Sequence, residues 1–204
     1  NAFPPRRPSD LKYGDISSLD DLLDPKFAGT VALNGKPAEA GAAFNGYLMA
    51  NQLAGGDINN LQPGLDYFKK LKEAGNLTTV DVTNGTIDSG QTGVVFDWTY
   101  NQASYQKELK DKGVNWKYKT FPKAQVVSYY NQAINKDAPH PAAARLWEEY
   151  LYTADAQNLW FKGGANPVLL DSMKEDGTVD QATLKDAITI EGEPVSYTND
   201  DSTR

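Results

Sequence analysis

Apolar residues recur along this chain with two different periods, and the switches between them mark its elements. Ser17-Ser18-Leu19-Asp20-Asp21-Leu22-Leu23 predicts a short helix with a serine cap, stopped at Asp24-Pro25. Thr30-Val31-Ala32-Leu33 predicts a strand that Asn34-Gly35 ends. A helix opens at Pro37, because a missing N–H costs nothing in the first helical turn. Phe44, Tyr47 and Leu48 form its buried side, and Gly55-Gly56 stops it. Leu65, Phe68 and Leu71 repeat at helical spacing over 63–74, with Gly75 as the cap. A weak strand over 78–82 and a one-turn helix capped by Thr83 lead to Val94-Val95-Phe96-Asp97. That unbroken apolar run is typical of a strand covered on both faces. Tyr105 and Leu109 place a helix over 101–112, and Trp116 to Phe121 and Val126 to Ile134 read as strands. After Pro139-His140-Pro141 the period is helical again, with Ala144, Trp147, Tyr150 and Leu151 on one face. Shorter helical segments follow over 154–161, 167–173 and 180–187. Strands alternating with helices predict an α/β protein built on a mainly parallel or mixed sheet.

Composition narrows the class. The chain has 204 residues, 40% hydrophobic, with four Trp and eleven Tyr, which suits a folded core and not a disordered segment. Its net charge is −7, a field that repels phosphate backbones and makes nucleic acid an unsuitable partner. Nearly all of that charge lies beyond residue 170, where nine acidic residues face Lys174, Lys185 and Arg204. A solvated tail is the plain reading of that segment. There is no cysteine, so disulfides, thiolate metal sites and cysteine nucleophiles are excluded. No apolar run is long enough to cross a membrane. The opening Phe3-Pro4-Pro5-Arg6-Arg7-Pro8 reads as extended linker.

Catalysis finds little support. The one histidine, His140, sits between two prolines at a helix entry, and no nucleophile elbow, phosphate loop or metal spacing occurs. No catalytic residue, cofactor or metal is therefore expected. Three other stretches suit a ligand. Asp97-Trp98-Thr99-Tyr100 follows the buried strand, just beyond the strand end where α/β sheets place their crevice. A carboxylate beside two aromatic rings suits an ammonium ion, through a charged hydrogen bond and cation–π contact. Equally, Trp98 and Tyr100 fit a core, with Asp97 capping the next helix. Tyr129 and Tyr130 lie on opposite faces of their expected strand, so one of them at a time can line a cleft. Gly41 and Ala42 bring small residues to a helix start, where free N–H groups bind anions, although small residues also serve close packing.

Two motifs carry a resemblance. Leu22-Leu23-Asp24-Pro25-Lys26-Phe27-Ala28-Gly29-Thr30-Val31-Ala32-Leu33 resembles the DLLDPKYKGKVAL segment that enters the second lobe of type 2 periplasmic solute-binding proteins. Ile134 to Ala144 resembles their KGAPHPEAA return, followed by a helix here containing Tyr150 to Gln157. The similarity covers about residues 19–170 and is greatest to the branch for polyamines, thiamine, aminoethylphosphonate and ferric iron. It implies a periplasmic-binding-protein type 2 lobe that captures a small solute in an interlobe cleft and hands it to an ABC permease, outside the bacterial cell membrane. Membrane contact would come only through that permease or through a lipid anchor outside this chain. It implies three parts: 1–29 as linker and hinge approach, 30–134 as the second α/β lobe, and 135–204 as C-terminal helices belonging partly to the first lobe. Thr30 to Leu33 and Val127 to Ile134 would lie near the crossovers between lobes. Family members carry a hundred or so residues before DLLDPK that form most of the first lobe. Without them, an apolar face through Trp147, Leu151 and Trp160 is expected to be exposed, and a homo-oligomer follows. A ligand-sensing module of the same fold, signalling to a receptor, is the alternative.

Overall fold

The computed structural model describes residues 16–187 and 194–196, so all but the last two residues of the linker expected over 3–17, and part of the acidic tail, lie outside the described residues. The chain divides into two compact units, the first running to Ser128 and resuming at Ile190, the second covering Tyr129–Thr189.

The first unit begins with two 3₁₀ turns, Asp20–Leu23 and Pro25–Phe27. The expected serine cap is inverted: Asp21 Oδ2 accepts from the N–H groups of Ser17 (2.7 Å) and Ser18 (2.9 Å) and from the Ser17 hydroxyl (2.9 Å). Strand β1 (Val31–Leu33) leads to helices α1 (Gly41–Leu53), α2 (Gln62–Glu73) and α3 (Asn84–Asp88). Strand β2 (Val94–Phe96) and helix α4 (Thr99–Lys110) follow. Pro37 lies in a turn before α1, which starts four residues later than its sequence suggests. Thr83 does cap α3, through a reciprocal pair with Thr86.

β1 and β2 pair in parallel, Val31 opposite Val94 and Leu33 opposite Phe96. The other edge of β1 takes a single parallel bridge to Leu77, closed by Val31 N–H to Asn76 O (3.0 Å) and Thr78 N–H to Val31 O (2.8 Å). Only that bridge survives of the strand expected over 78–82. Phe27, Val31, Leu71, Tyr67 and Phe96 form the core beneath, and Phe68 meets Tyr47, Tyr67 and Phe96 ring to ring at 5.4–5.9 Å. Leu65, expected on the buried face of α2, is 55% exposed; Gly64, Tyr67 and Leu71 make that face instead. Two glycines permit the packing: a Cβ on Gly46 would lie 2.8 Å from Phe96 Cβ, and one on Gly64 would lie 2.8 Å from Asn51 Cβ. Buried Asn76 ties the entry turns to this core, its amide donating to Leu22 O (2.7 Å) and Asp24 O (2.9 Å).

A smaller core gathers Ile87, Leu109, Val114 and Trp116. Trp116 is buried, with its indole N–H on Gln102 Oε1 at 2.8 Å, yet its backbone joins no ladder. The strand expected over 116–121 is therefore irregular chain. The one expected over 126–134 shrinks to β3 (Val126–Val127), which pairs in parallel with β4 (Val195–Ser196).

The second unit is helical: α5 (Pro141–Leu151), α6 (Ala154–Lys162), α7 (Leu170–Glu175) and α8 (Gln181–Asp186). Phe161, Met173 and Val179 form its centre, supported by Leu169, Leu170 and Leu184. Thr153 caps α6 and Asp180 caps α8, the latter also 2.9 Å from Lys162. Leu146, Trp147, Tyr150, Tyr152, Leu159 and Trp160 are exposed. Leu151, expected among them, is turned inward and only 8% exposed. The fold is thus α/β, with short parallel pairs flanked by helices. No described helix is long and apolar enough to cross a membrane.

Candidate functional site

Parallel strands place both of their C-terminal ends, and the helices that follow, at one edge of the sheet. Here β1 ends at Asn34 and leads to α1, while β2 ends at Asp97 and leads to α4. The two strand ends are joined side chain to side chain. The Asn34 amide donates to Asp97 Oδ2 at 2.8 Å, across 63 residues of chain. Asp97 Oδ1 accepts from the Trp98 N–H at 2.7 Å and from the Asn101 amide at 2.9 Å. Asp97 thus supports the start of α4, which has no other side-chain cap.

These donors are all neutral. Among the described residues no lysine or arginine forms an ion pair with Asp97. The Tyr105 hydroxyl feels the resulting charge: burial first, then the charge of Asp97 and a hydrogen bond to it, push its pKa up to about 12.

Trp98 and Tyr100 stack on each other, ring centroids 6.4 Å apart and planes within 13°. Both are half-buried, so their rings are neither sealed core nor loose surface. Gly41, the first residue of α1, is exposed and borders this pair: a Cβ there would lie 3.8 Å from Trp98 Cζ2. Ala40 gives α1 no side-chain cap, and no acid lies in its first turn, so among the described residues no side chain caps the N–H groups of Gly41 and Ala42. The structure therefore brings Asp97, Trp98, Tyr100, Gly41 and Ala42 to one edge of the first unit. The remaining pair, Tyr129 and Tyr130, belongs to the second unit, where they are 65% and 72% exposed on irregular backbone.

Sequence reading missed Asn34, Asn101 and Tyr105. Asn34 precedes a glycine and was legible only as a turn residue; Asn101 and Tyr105 read as ordinary helix. The one available signal was Asn101 four residues after Asp97, a spacing that lets a side chain reach back to the residue ahead of a helix. His140 is exposed at the N-cap of α5 and makes no cap hydrogen bond. Among the described residues no group of three His, Asp or Glu is placed to hold a metal ion. A hollow of about 200 Å³ in the second unit is lined by residues such as Gln132, Asn135, Trp147 and Glu148, of which only Gln132 belongs to the stretch expected to line a cleft.

Donors, an anion and flat rings gathered at one strand edge are groups able to hold a small molecule. Comparison with curated proteins returns no match. Residues 15–187, however, fit the family model described as bacterial extracellular solute-binding protein. With a parallel sheet that ends in such an edge, and a family match running through both units, the chain belongs to the bacterial extracellular solute-binding proteins.

Proposed function

We propose that this chain works in a bacterial ABC importer, on the outer face of the cell membrane, binding an amine-bearing solute for delivery to the permease. The observation that carries the ligand class is the environment of Asp97, a half-buried carboxylate whose donors, three amides and the Tyr105 hydroxyl, are all neutral, with no described cationic partner. An ammonium ion is the complement of such a group, and the Trp98–Tyr100 stack beside it adds cation–π attraction. The N–H groups of Gly41 and Ala42 meet an oxygen of the same solute. Residues 30–134 serve as the second lobe of the binding protein, with the helices after 135 serving partly with the first. Tyr129 and Tyr130 keep exposed rings in the second unit, and the resemblance alone makes them solute contacts. The role is capture and delivery, with no bond made or broken. A second copy of the chain covers the aromatic face of α5 and α6, since so many exposed large apolar side chains exceed what a soluble surface ordinarily leaves open.

A thermal-shift screen of polyamines, thiamine, aminoethylphosphonate, ferric salts and sugars tests the ligand. Solute at about a hundred times its dissociation constant should add roughly 2.7 kcal/mol, a rise of several degrees. Asp97→Asn should erase the rise produced by an amine. A rise that survives this substitution removes Asp97 from the site, and a response to sugars or iron alone removes the amine.

A further inference from the structure

The amide pair around Asp97 has more to do than hold a helix end. Capping α4 needs only Asp97 Oδ1, which accepts from the Trp98 N–H and from Asn101 on α4 itself. The bond from Asn34 goes to the other oxygen, Oδ2, and comes from a different strand end. It contributes nothing to the helix, but it fixes the rotation of the carboxylate about its last bond. A carboxylate held by lysine or arginine would be equally well fixed, and its charge would be answered internally. Asparagine at both positions fixes the geometry and leaves the charge to be met from outside. The three amide donors and the Tyr105 hydroxyl beside them are all neutral, so hydrogen bonds hold the carboxylate and none of them cancels its charge.

From this we infer that Asn34 and Asn101 are positioning residues that set the site's preference for cationic over isosteric neutral solutes, by orienting Asp97 without neutralising it. The inference deepens the amine reading and rests on it. Each asparagine acts through Asp97 and need not touch the solute. Because the amides are neutral, the same positions can be converted to an internal counter-ion with one substitution, which makes the role separable from simple support of the fold.

The test titrates the 204-residue chain with 1,4-diaminobutane and, separately, with the uncharged 1,4-butanediol, following the indole N–H resonance of Trp98. Wild type should bind the diamine at least tenfold more tightly than the diol. Asn34→Lys should remove most of that ratio by lowering diamine affinity tenfold or more, with diol affinity unchanged. Asn101→Lys approaches the carboxylate from its other oxygen and should do the same, which guards against one variant folding poorly. Asn34→Gln keeps a neutral amide and should retain a preference within threefold of wild type. If the lysine variants keep the wild-type ratio, the inference falls while the amine reading survives. If Asn34→Gln and Asn34→Lys lose the diamine equally, the amide is merely structural and the inference again falls. A wild-type chain with no preference for the diamine overturns the amine reading itself, and the inference with it.

Discussion

The two units place their aromatic side chains in opposite ways. In the first, Tyr47, Tyr67, Phe68 and Phe96 interlock under β1 and β2, and the half-buried Trp98–Tyr100 pair marks the edge where the sheet ends. In the second, Trp147, Tyr150, Tyr152 and Trp160 are 40–61% exposed, and Phe161 is the one aromatic ring in its buried centre. The same residue types are therefore internal structure in one unit and outward surface in the other. A parallel strand pair explains the difference. It offers a flat apolar floor on which α1 and α2 can lie, whereas the second unit is built only of short helices, whose narrow contacts bury one side each.

Substitutions can break or sharpen this contrast. The largest effect is expected from Phe27→Ala, which empties a fully buried position of the first core and should cost about 3–5 kcal/mol. Hydrogen exchange should rise in α1, α2 and β1 and stay unchanged in α6 to α8. An equal rise in both units would show that they unfold as one body and would dissolve the comparison. Gly46→Ala comes next, at about 1–3 kcal/mol, because the new methyl group would press on Phe96 Cβ and force α1 away from the sheet. Chemical denaturation measures it, and a neutral result would mean that α1 slides freely over β2.

Thr83→Ala removes the reciprocal cap of α3 and should cost about 1 kcal/mol. In the second unit Trp147→Ser should change monomer stability by no more than about 0.5 kcal/mol, as for any exposed position. It should nevertheless weaken self-association in light scattering; unchanged association would place the contact elsewhere.

The smallest effect concerns acid. Asp21 is held down to a pKa of about 2 chiefly by the Ser17 N–H, and Asp180 to about 2 chiefly by the Thr183 N–H, then by Lys162. Both folded values lie below the ordinary 3.8, so each group stabilises its unit above that value. The contribution is lost as pH falls toward 2. Asp180→Asn should flatten the acid response of α8 and leave that of the entry turns intact, as followed by residue-resolved chemical shifts.

Most helices were legible because their stops are written in glycine: Gly55 and Gly75 both take positive φ at the ends of α1 and α2, where only glycine is unstrained. Strands were harder. The alternating apolar residues around Trp116 satisfy a packing need, since the ring fills the space beside Leu109 and Tyr105, and packing leaves the same pattern as a ladder. Whether a ladder forms depends on a partner elsewhere in the chain, which periodicity cannot register. The site divides along the same line. Asp97, Trp98 and Tyr100 are neighbours in sequence and could be read together. Asn34 joins them only through the pairing of β1 with β2, and nothing in its own surroundings announces that bond.

The pairing of β3 with β4 has a consequence for the order of events during synthesis. Val126 and Val127 find their partners only when residues 195 and 196 have been made, and the whole second unit lies in between. Closing so long a loop in an unfolded chain is entropically costly, but the cost shrinks once α5 to α8 have condensed and brought the two ends of the loop closer. The helical unit should therefore mature first, with the last strand locking into the earlier unit as the final act. Pulse-labelled refolding would show protection at β3 appearing later than at α6, a delay set by topology and independent of how stable either unit becomes.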